Sequence, residues 1–459
     1  MWIPQDLDQD KPLYLAIADA LAQDIASGRA KPGEQLPPQR ELARLIGVNL
    51  STITRAFKEC ERRGLICGTV GRGTFVAADA GAPSHIGRLD SSGPGLLEMG
   101  MVLPLYALEN DTTAAIKRAV ISQDLGPLLR YAEASGLRPH REAGAEWVKR
   151  FGMQATADDI VITSGTTNGL ACSLMALFKA GERIAVDELT YPGFKTLAYM
   201  LGIRLVPIAM DAHGMCADGL EAACRREKIS GIYLMPEVQN PTTVALSRSR
   251  RREILSLIEK HHLILLEDDA FSFSGESNVP ALSASLPEQS VFFGGISKAF
   301  GAGLRISFLV VPKAFRSPLE KAVLNTVMMA SPLNAAIAAS MITSDRIDAI
   351  MRDKIREARL RTDLARKKLA AYAPHTRPAG FFLWLELPPG WTGREFELTA
   401  REAGVRVFGA EKFAVGGSTA PSAVRLSLSG PETREELSRG LDILQALLEK
   451  GYPEHGAIF

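Results

Sequence analysis

FFGGISKAFGAGLRISF, residues 292–308, decides the reading of this 459-residue chain. It opens as a short apolar run, breaks at Gly294 and Gly295, and then places Lys298 in a segment flanked by glycine and serine. A lysine held beside an aldehyde can form a Schiff base, and neighbouring cations and desolvation lower its pKa. Arg305, further along the same stretch, can return positive charge to a phosphate. Alone the pair is weak evidence, because two basic residues at such spacing are usually ordinary surface charges.

Working outward, further phrases accumulate. ITSGTTNG puts Gly165, Thr166 and Thr167 at a strand-to-helix junction, where free backbone N–H groups and hydroxyls suit a phosphate. ILLEDDAF puts Asp268 at a strand end, where a carboxylate can keep a pyridine nitrogen protonated and the ring an electron sink. MPEVQNPT puts Asn240 before a proline at another strand end, and DELTYPG puts Tyr191 in a turn. AVRLSLS puts Arg425 on a late strand, suited to a bidentate grip on a carboxylate. Each has a bland reading as a helix cap, turn residue, packing ring or sheet-edge charge. Five in chain order on one pattern favour a shared cofactor site.

That pattern is strand and helix in alternation from about Asp159. IVITSG, RIAVDE, RLVPIAM, GIYLMPE, LILLEDDA and SVFFGG are short apolar runs, several of them continuous. They predict a buried, mostly parallel sheet with helices on both faces. A long helix is expected from about Ser344 to Ala373. FFLWLEL, VRVFG and AVRLSLS are expected strands of a smaller α+β part that ends in a helix at 431–450. Residues 96–151 read as mostly helical.

The N-terminal part follows a different order. Residues 11–27 carry Leu13, Ile17, Leu21 and Ile25 at helical spacing before Gly28. QRELARLIG predicts a second, short helix, and TITRAFKECERRG a third that starts at Asn49 or Ser51. LICGTVGRGTFVA predicts two strands about a glycine-rich turn. This is the winged helix-turn-helix order. It predicts Ser51, Thr52, Thr54 and Arg55 near base edges or phosphates, Arg40 at a phosphate, and Arg72 at the wing tip between Gly71 and Gly73. The segment 11–76 holds ten Lys or Arg against six Asp or Glu, although the whole chain is only +1. A protein-docking module with ordinary surface arginines is the alternative. The expected division is a DNA-binding domain at 1–78, a Gly- and Pro-rich linker at 79–95, and a cofactor domain at 96–459. Its large part spans about 130–340 and its small part about 341–459.

PLYLAIADALAQDI, PGEQLPPQRELARLIGVNLSTITRAFKECERRGLI and GRGTFV resemble the DNA-binding domain of the GntR family of bacterial regulators. The resemblance implies operator contacts from Arg40, Ser51–Arg55 and Gly71–Gly73. One departure is Pro38 and Gln39, where the family usually has serine and glutamate. SGTTNG, TYPG, NPT, EDD, SKAFGAGLR and PAGFFLW resemble fold-type I aminotransferases across roughly 96–450. That resemblance implies pyridoxal 5′-phosphate, with Lys298 in the internal aldimine, Asp268 on the pyridine nitrogen and Asn240 on the phenolic oxygen. It also implies phosphate contacts from Gly165, Thr166, Ser297 and Arg305, stacking by Tyr191, and carboxylate binding by Arg425. A second departure is Phe271, where the family often has a tyrosine that reaches the phenolic oxygen.

Joined, the two halves look like the MocR subfamily of bacterial regulators. The resemblance implies a homodimer, domain-swapped in arrangement, on double-stranded operator DNA. It further implies control by an amino compound or by pyridoxal phosphate through aldimine exchange at Lys298. An active aminotransferase is the alternative, and a cofactor-free relic a third reading. The five cysteines form no CxxC pair, so neither a zinc cluster nor a disulfide framework is expected. No basic leader precedes an apolar run at the start, and no uncharged apolar stretch reaches the roughly 20 residues of a membrane span. A cytoplasmic protein with no membrane partner is expected.

Overall fold

The computed structural model describes residues 2–452 except 6, 9, 10, 32, 70–72, 78–95, 122–123 and 275–278. The expected linker, with Gly71 and Arg72 of the wing turn, lies outside the described residues.

Three helices and a hairpin form the N-terminal module. The first helix, Leu13–Ser27, starts after Pro12, because the residue before a proline is pushed out of helical geometry. It ends at Gly28, whose φ of 81° lets its N–H turn back to Ile25 O. The second helix is Gln39–Leu45 and the third Leu50–Arg62, the latter preceded by an extended Asn49. Strands Ile66–Thr69 and Gly73–Val76 pair antiparallel, from Ile66 opposite Val76 to Thr69 opposite Gly73. Ile17, Leu21, Leu42, Ile53, Phe57 and Ile66 close one core beneath them. Burying such side chains is worth about 1.5–3 kcal/mol each before chain entropy is counted.

The large domain is built on a seven-stranded sheet. Side by side run Ile160–Thr163, Ser307–Val310, Ser290–Gly295, Ile264–Asp269, Gly231–Leu234, Arg183–Asp187 and Arg204–Ile208. Six share one direction, and Ser307–Val310 runs against both of its neighbours. Successive residues point to opposite faces, so Phe292 joins Trp147, Phe300 and Phe308 in one core. Phe293 joins Phe194 and Tyr233 in the other. Both faces are therefore covered, which is why the strands read as continuous apolar runs. The antiparallel strand Ser307–Val310 is not among the strands expected from the sequence. It lies in LRISFLVV, where a short apolar run has no period of its own.

The smaller part holds an antiparallel sheet of His375–Thr376, Phe382–Glu386, Ala423–Ser427 and Phe408–Gly409, in that spatial order. The connecting long helix is Ile347–Lys368, shorter than expected, because its C-terminal end tightens into a 3₁₀ turn at Ala370–Tyr372. The last helix, Arg434–Lys450, begins when Thr433 accepts a bond from the Glu436 N–H. The segment expected to be mostly helical contains a short strand, Leu97–Glu98, paired parallel to Val405–Arg406. Met99 is packed in the core of the smaller part. Among the described residues no helix is long and apolar enough to cross a membrane.

Candidate functional site

The C-terminal ends of the parallel strands open into one cleft, the position where α/β sheets bind ligands. It encloses about 880 Å³, open solvent at its mouth included. Thr166, Thr167, Tyr191, Asn240, Asp268, Ser297, Lys298, Arg305 and Arg425 all line it. Gly165 does not line it but sits directly behind, at the start of the helix Thr166–Leu177.

Lys298 follows the strand Ser290–Gly295 and is half-buried. Desolvation first, then the charges of Arg425 and Arg305, lower its pKa to about 8. Its Nζ donates to the Val102 carbonyl oxygen. Asp268 is buried near the end of Ile264–Asp269, and burial raises its carboxyl to about 7. A bond from Tyr233 opposes that rise and the charge of Asp269 adds to it. The Tyr233 hydroxyl donates to Asp268 Oδ2 at 2.9 Å, while Oδ1 is buried with no hydrogen-bond partner. A buried carboxylate oxygen without a donor is costly. It is matched by a ligand that brings an N–H, such as a pyridinium.

The phosphate-type corner is formed by two distant segments. Gly165 has φ 83°, and a Cβ there would stand 2.4 Å from Arg305 Nη2. Glycine is thus needed for its backbone angle, and the room it leaves is taken by the guanidinium. Arg305 itself takes φ 49°. Thr166 Oγ1 lies 3.3 Å from Ser307 Oγ, and a Cβ on Gly295 would meet that same Thr166 oxygen at 2.5 Å. The helix N-terminus, the hydroxyls and the guanidinium surround a pocket for an anion.

Across the cleft, Arg425 Nη1 donates to Asn240 Oδ1 at 2.6 Å and Nη2 to Gly100 O at 2.6 Å. With its carbonyl engaged, Asn240 keeps its amide N–H₂ as the donor end. Arg425 is buried among the rings of Phe382, Phe408 and Phe413. Tyr191 precedes the helix Pro192–Met200 and lines the cleft together with Thr167. Burial raises its pKa. Phe271 forms wall, packed on Phe381 and Phe382, and brings no hydroxyl.

Sequence reasoning missed Tyr233, Gly295, Ser307 and the segment Gly100–Val102. Tyr233 had a usable signal. It interrupts an apolar run, and a buried tyrosine hydroxyl needs a partner. It pairs with Leu266, so Asp268 is the next residue on the same face. Gly100 and Val102 act through backbone oxygens, which carry no side-chain signature.

In the N-terminal module, Arg40 and Ser51 are exposed at the starts of their helices, and Thr52 is half-buried. The Thr54 hydroxyl donates to Gln39 Oε1 at 2.9 Å, so it ties the two helices together. The exposed Arg55 lays its guanidinium 4.4 Å from the Tyr14 ring centre. Gly73 opens the second wing strand with φ 117° against the Gln35 side chain.

Fold and cleft thus outline a winged-helix module and an α/β domain with a built ligand site, and comparison with known proteins gives the family. Residues 99–444 match aminotransferase class I and II, and residues 13–76 match bacterial regulatory proteins of the gntR family. The chain belongs to the aminotransferase class I and II family and, with its gntR module, is a MocR-type transcription regulator. It is 37% identical over 449 residues to the uncharacterized HTH-type transcriptional regulator YdeF of Bacillus subtilis, covering 98% of this chain and 97% of that one. It is 25% identical over 440 residues to the vitamin B6 salvage pathway transcriptional repressor PtsJ of Salmonella typhimurium, covering 94% and 97%. Among solved structures, LysN, the α-aminoadipate aminotransferase of Thermus thermophilus, complexed with N-(5′-phosphopyridoxyl)-L-leucine, superposes with a TM-score of 0.69. Its identity is 24%, and the match covers 78% of this chain and 94% of that chain.

Proposed function

We propose that this regulator binds pyridoxal 5′-phosphate in the cleft, senses an amino compound there, and reports it to operator DNA through the N-terminal module. The observation that carries the reading is the pairing of Lys298, its pKa lowered toward neutrality, with the unpartnered Asp268 oxygen across one cleft. Bound pyridoxal phosphate supplies an aldehyde for amines and an electron-withdrawing ring.

Each residue then has a definite task. Lys298 presents its amine partly neutral near pH 8. Asp268 accepts a proton-bearing ring nitrogen at Oδ1, while Tyr233 fixes the other oxygen. Gly165, Thr166, Ser297 and Arg305 hold the phosphate. Asn240 donates to the phenolic oxygen, Tyr191 covers the ring, and Arg425 grips a carboxylate. Phe271 supplies no second donor to the phenolic oxygen, which favours sensing over full turnover. In the module, Arg40, Ser51, Thr52 and Arg55 meet DNA, with Gly71, Arg72 and Gly73 in the wing. Domains at 1–78 and 96–459 joined by a linker at 79–95, in a cytoplasmic protein, accord with that role.

A homodimer is part of the proposal. Leu129 and Tyr131 are 76% and 83% exposed, and Val327 and Met328 are also exposed. The Ala132 N–H approaches the Met329 sulfur, so these segments are neighbours. An exposed apolar face of this kind suits a second copy, and two modules would read two half-sites.

The test couples spectra to DNA. Duplexes selected by the purified protein from a random library are titrated at one stated salt, with and without cofactor and an amine panel. Amine-dependent change in both cofactor absorbance and DNA affinity is expected; selection of no sequence at physiological salt would sink the reading. A working aminotransferase remains the second reading, favoured by the presence of Asp268, Asn240 and Arg425 together. It requires that an amino acid convert the cofactor to its amine form and that a keto acid restore it.

A further inference from the structure

We propose that residues 97–102 form a strap that makes the cleft answer to an amine carrying a carboxylate and not to a bare amine. The inference rests on the sensing reading above and names the ligand class and the element that responds to it.

The strap is tied to the smaller part by its backbone. Leu97 N donates to Gly404 O at 2.8 Å, Met99 N to Arg406 O at 3.0 Å, and Ser427 N to Met99 O at 2.6 Å. Glu98 then bends the chain. Its Oε1 accepts from the N–H groups of Gly100 and Met101, both at 2.8 Å, and its Oε2 from Arg406 at 3.0 Å. The fit is close. A Cβ on Gly430 would stand 2.2 Å from Glu98 O, and one on Gly100 2.8 Å from the Phe408 ring.

Past that bend, one strap carbonyl engages the guanidinium that a carboxylate would address, and a second engages Lys298 as long as its amine is not joined to the cofactor. Gly100 O takes Arg425 Nη2, and Val102 O takes Lys298 Nζ. Arg425 has little freedom to meet a carboxylate elsewhere. Three aromatic rings surround it at 4.9–5.6 Å, and Nη1 is held by Asn240. Its remaining side-on face is Nε with Nη2. Nε is buried without a partner, and Nη2 is the atom held by Gly100. That face matches the two oxygens of a carboxylate.

An arriving carboxylate therefore takes the place of the Gly100 carbonyl. The exchange is favourable, since a carboxylate pairs opposite charges in a bidentate geometry and gives the buried Nε an acceptor as well. A bare amine brings no acceptor for this face and leaves the strap seated. Along the chain the strap directly follows residues 78–95, which lead from the DNA-binding module. The ligand's differential contact with the two strap positions shifts their populations.

Hydrogen exchange read by mass spectrometry on the full-length, cofactor-loaded protein tests the strap in two arms. Without ligand, Arg425→Gln is expected to speed exchange of the 97–102 amides at least tenfold, with exchange of the seven-stranded sheet unchanged as the folding control. Glu98→Ala, which loosens the bend and leaves the cleft cations intact, is expected to do the same. Unchanged strap exchange in both variants overturns the proposal. With ligand, L-alanine is compared with ethylamine, L-phenylalanine with phenethylamine and L-lysine with 1,5-diaminopentane. For a pair in which both members change the cofactor absorbance, only the carboxylate member is expected to speed strap exchange. Equal acceleration by both, or by neither, overturns the proposal. If no amine changes the absorbance, the sensing reading fails, and the Arg425→Gln arm still decides whether Arg425 holds the strap.

Discussion

The DNA-facing module and the cleft both rely on cations, and they keep them in opposite environments. Arg40 and Arg55 are exposed, with water available to their charges. Arg425 is buried among rings, and Lys298 has its pKa lowered by burial and by two guanidinium groups. Exposed cations suit a polyanion whose contacts are additive and screened by salt. Buried ones raise the cost of the empty arrangement and suit one small ligand that satisfies several groups at once. The contrast separates a surface that reads a long partner from a pocket that reads a single molecule.

That contrast can be broken most sharply at Lys298. Lys298→Ala is expected to abolish covalent retention of pyridoxal phosphate, measured as cofactor absorbance that survives gel filtration after borohydride reduction. Asp268→Asn is expected next, with cofactor affinity weakened roughly 100- to 1000-fold, as when one partner of a buried charged pair is lost. Equilibrium titration by fluorescence checks it, and a loss below tenfold would mean that the unpartnered oxygen is not the ring-nitrogen site. The pH dependence follows from the lowered Lys298 pKa. Only the neutral amine attacks an aldehyde, so the capture rate should rise about tenfold per unit below about pH 8 and level off above it. Stopped-flow absorbance reads this directly, and a plateau reached only near pH 10 would contradict the burial argument.

The exposed side of the comparison predicts smaller effects. Arg40→Ala should weaken binding of every duplex by about tenfold and reduce the salt slope by roughly one. A change confined to one base position would reverse that assignment. Thr54→Val should cost the module about 1 kcal/mol through the lost Gln39 bond, and leave sequence preference unchanged. Thermal melting and library selection with the variant check the two halves of that statement.

Most strands of the large sheet, though not their spatial order, and many of the side chains lining the cleft were legible because both are written in local sequence. Continuous apolar runs marked buried strands, and their ends marked where ligand-facing residues emerge. Asp268, Asn240 and Lys298 all follow such runs. What stayed hidden depended on long-range pairing or on backbone atoms. Ser307–Val310 is too short to declare its direction, and only the sheet shows that it runs backward. Gly100 and Val102 contribute carbonyl oxygens, which every residue has. Thr54 has an inter-helix bond that stayed hidden for a related reason. Its position on the third helix pointed toward DNA, but Gln39 on the neighbouring helix takes its hydroxyl.

The reversed strand has a consequence for what completes the cleft. Thr163 and Ser307 are direct partners across the sheet although they come from opposite ends of the large domain's chain. That single pairing sets Gly165 against Arg305. Contacts between residues so far apart in sequence form late, because a long loop must close first. The corner between Gly165 and Arg305 therefore exists only where this long-range pairing has formed. A chain without the edge pairing would keep most of its sheet and lack this corner, so the corner reports on completion of the sheet rather than on any one strand.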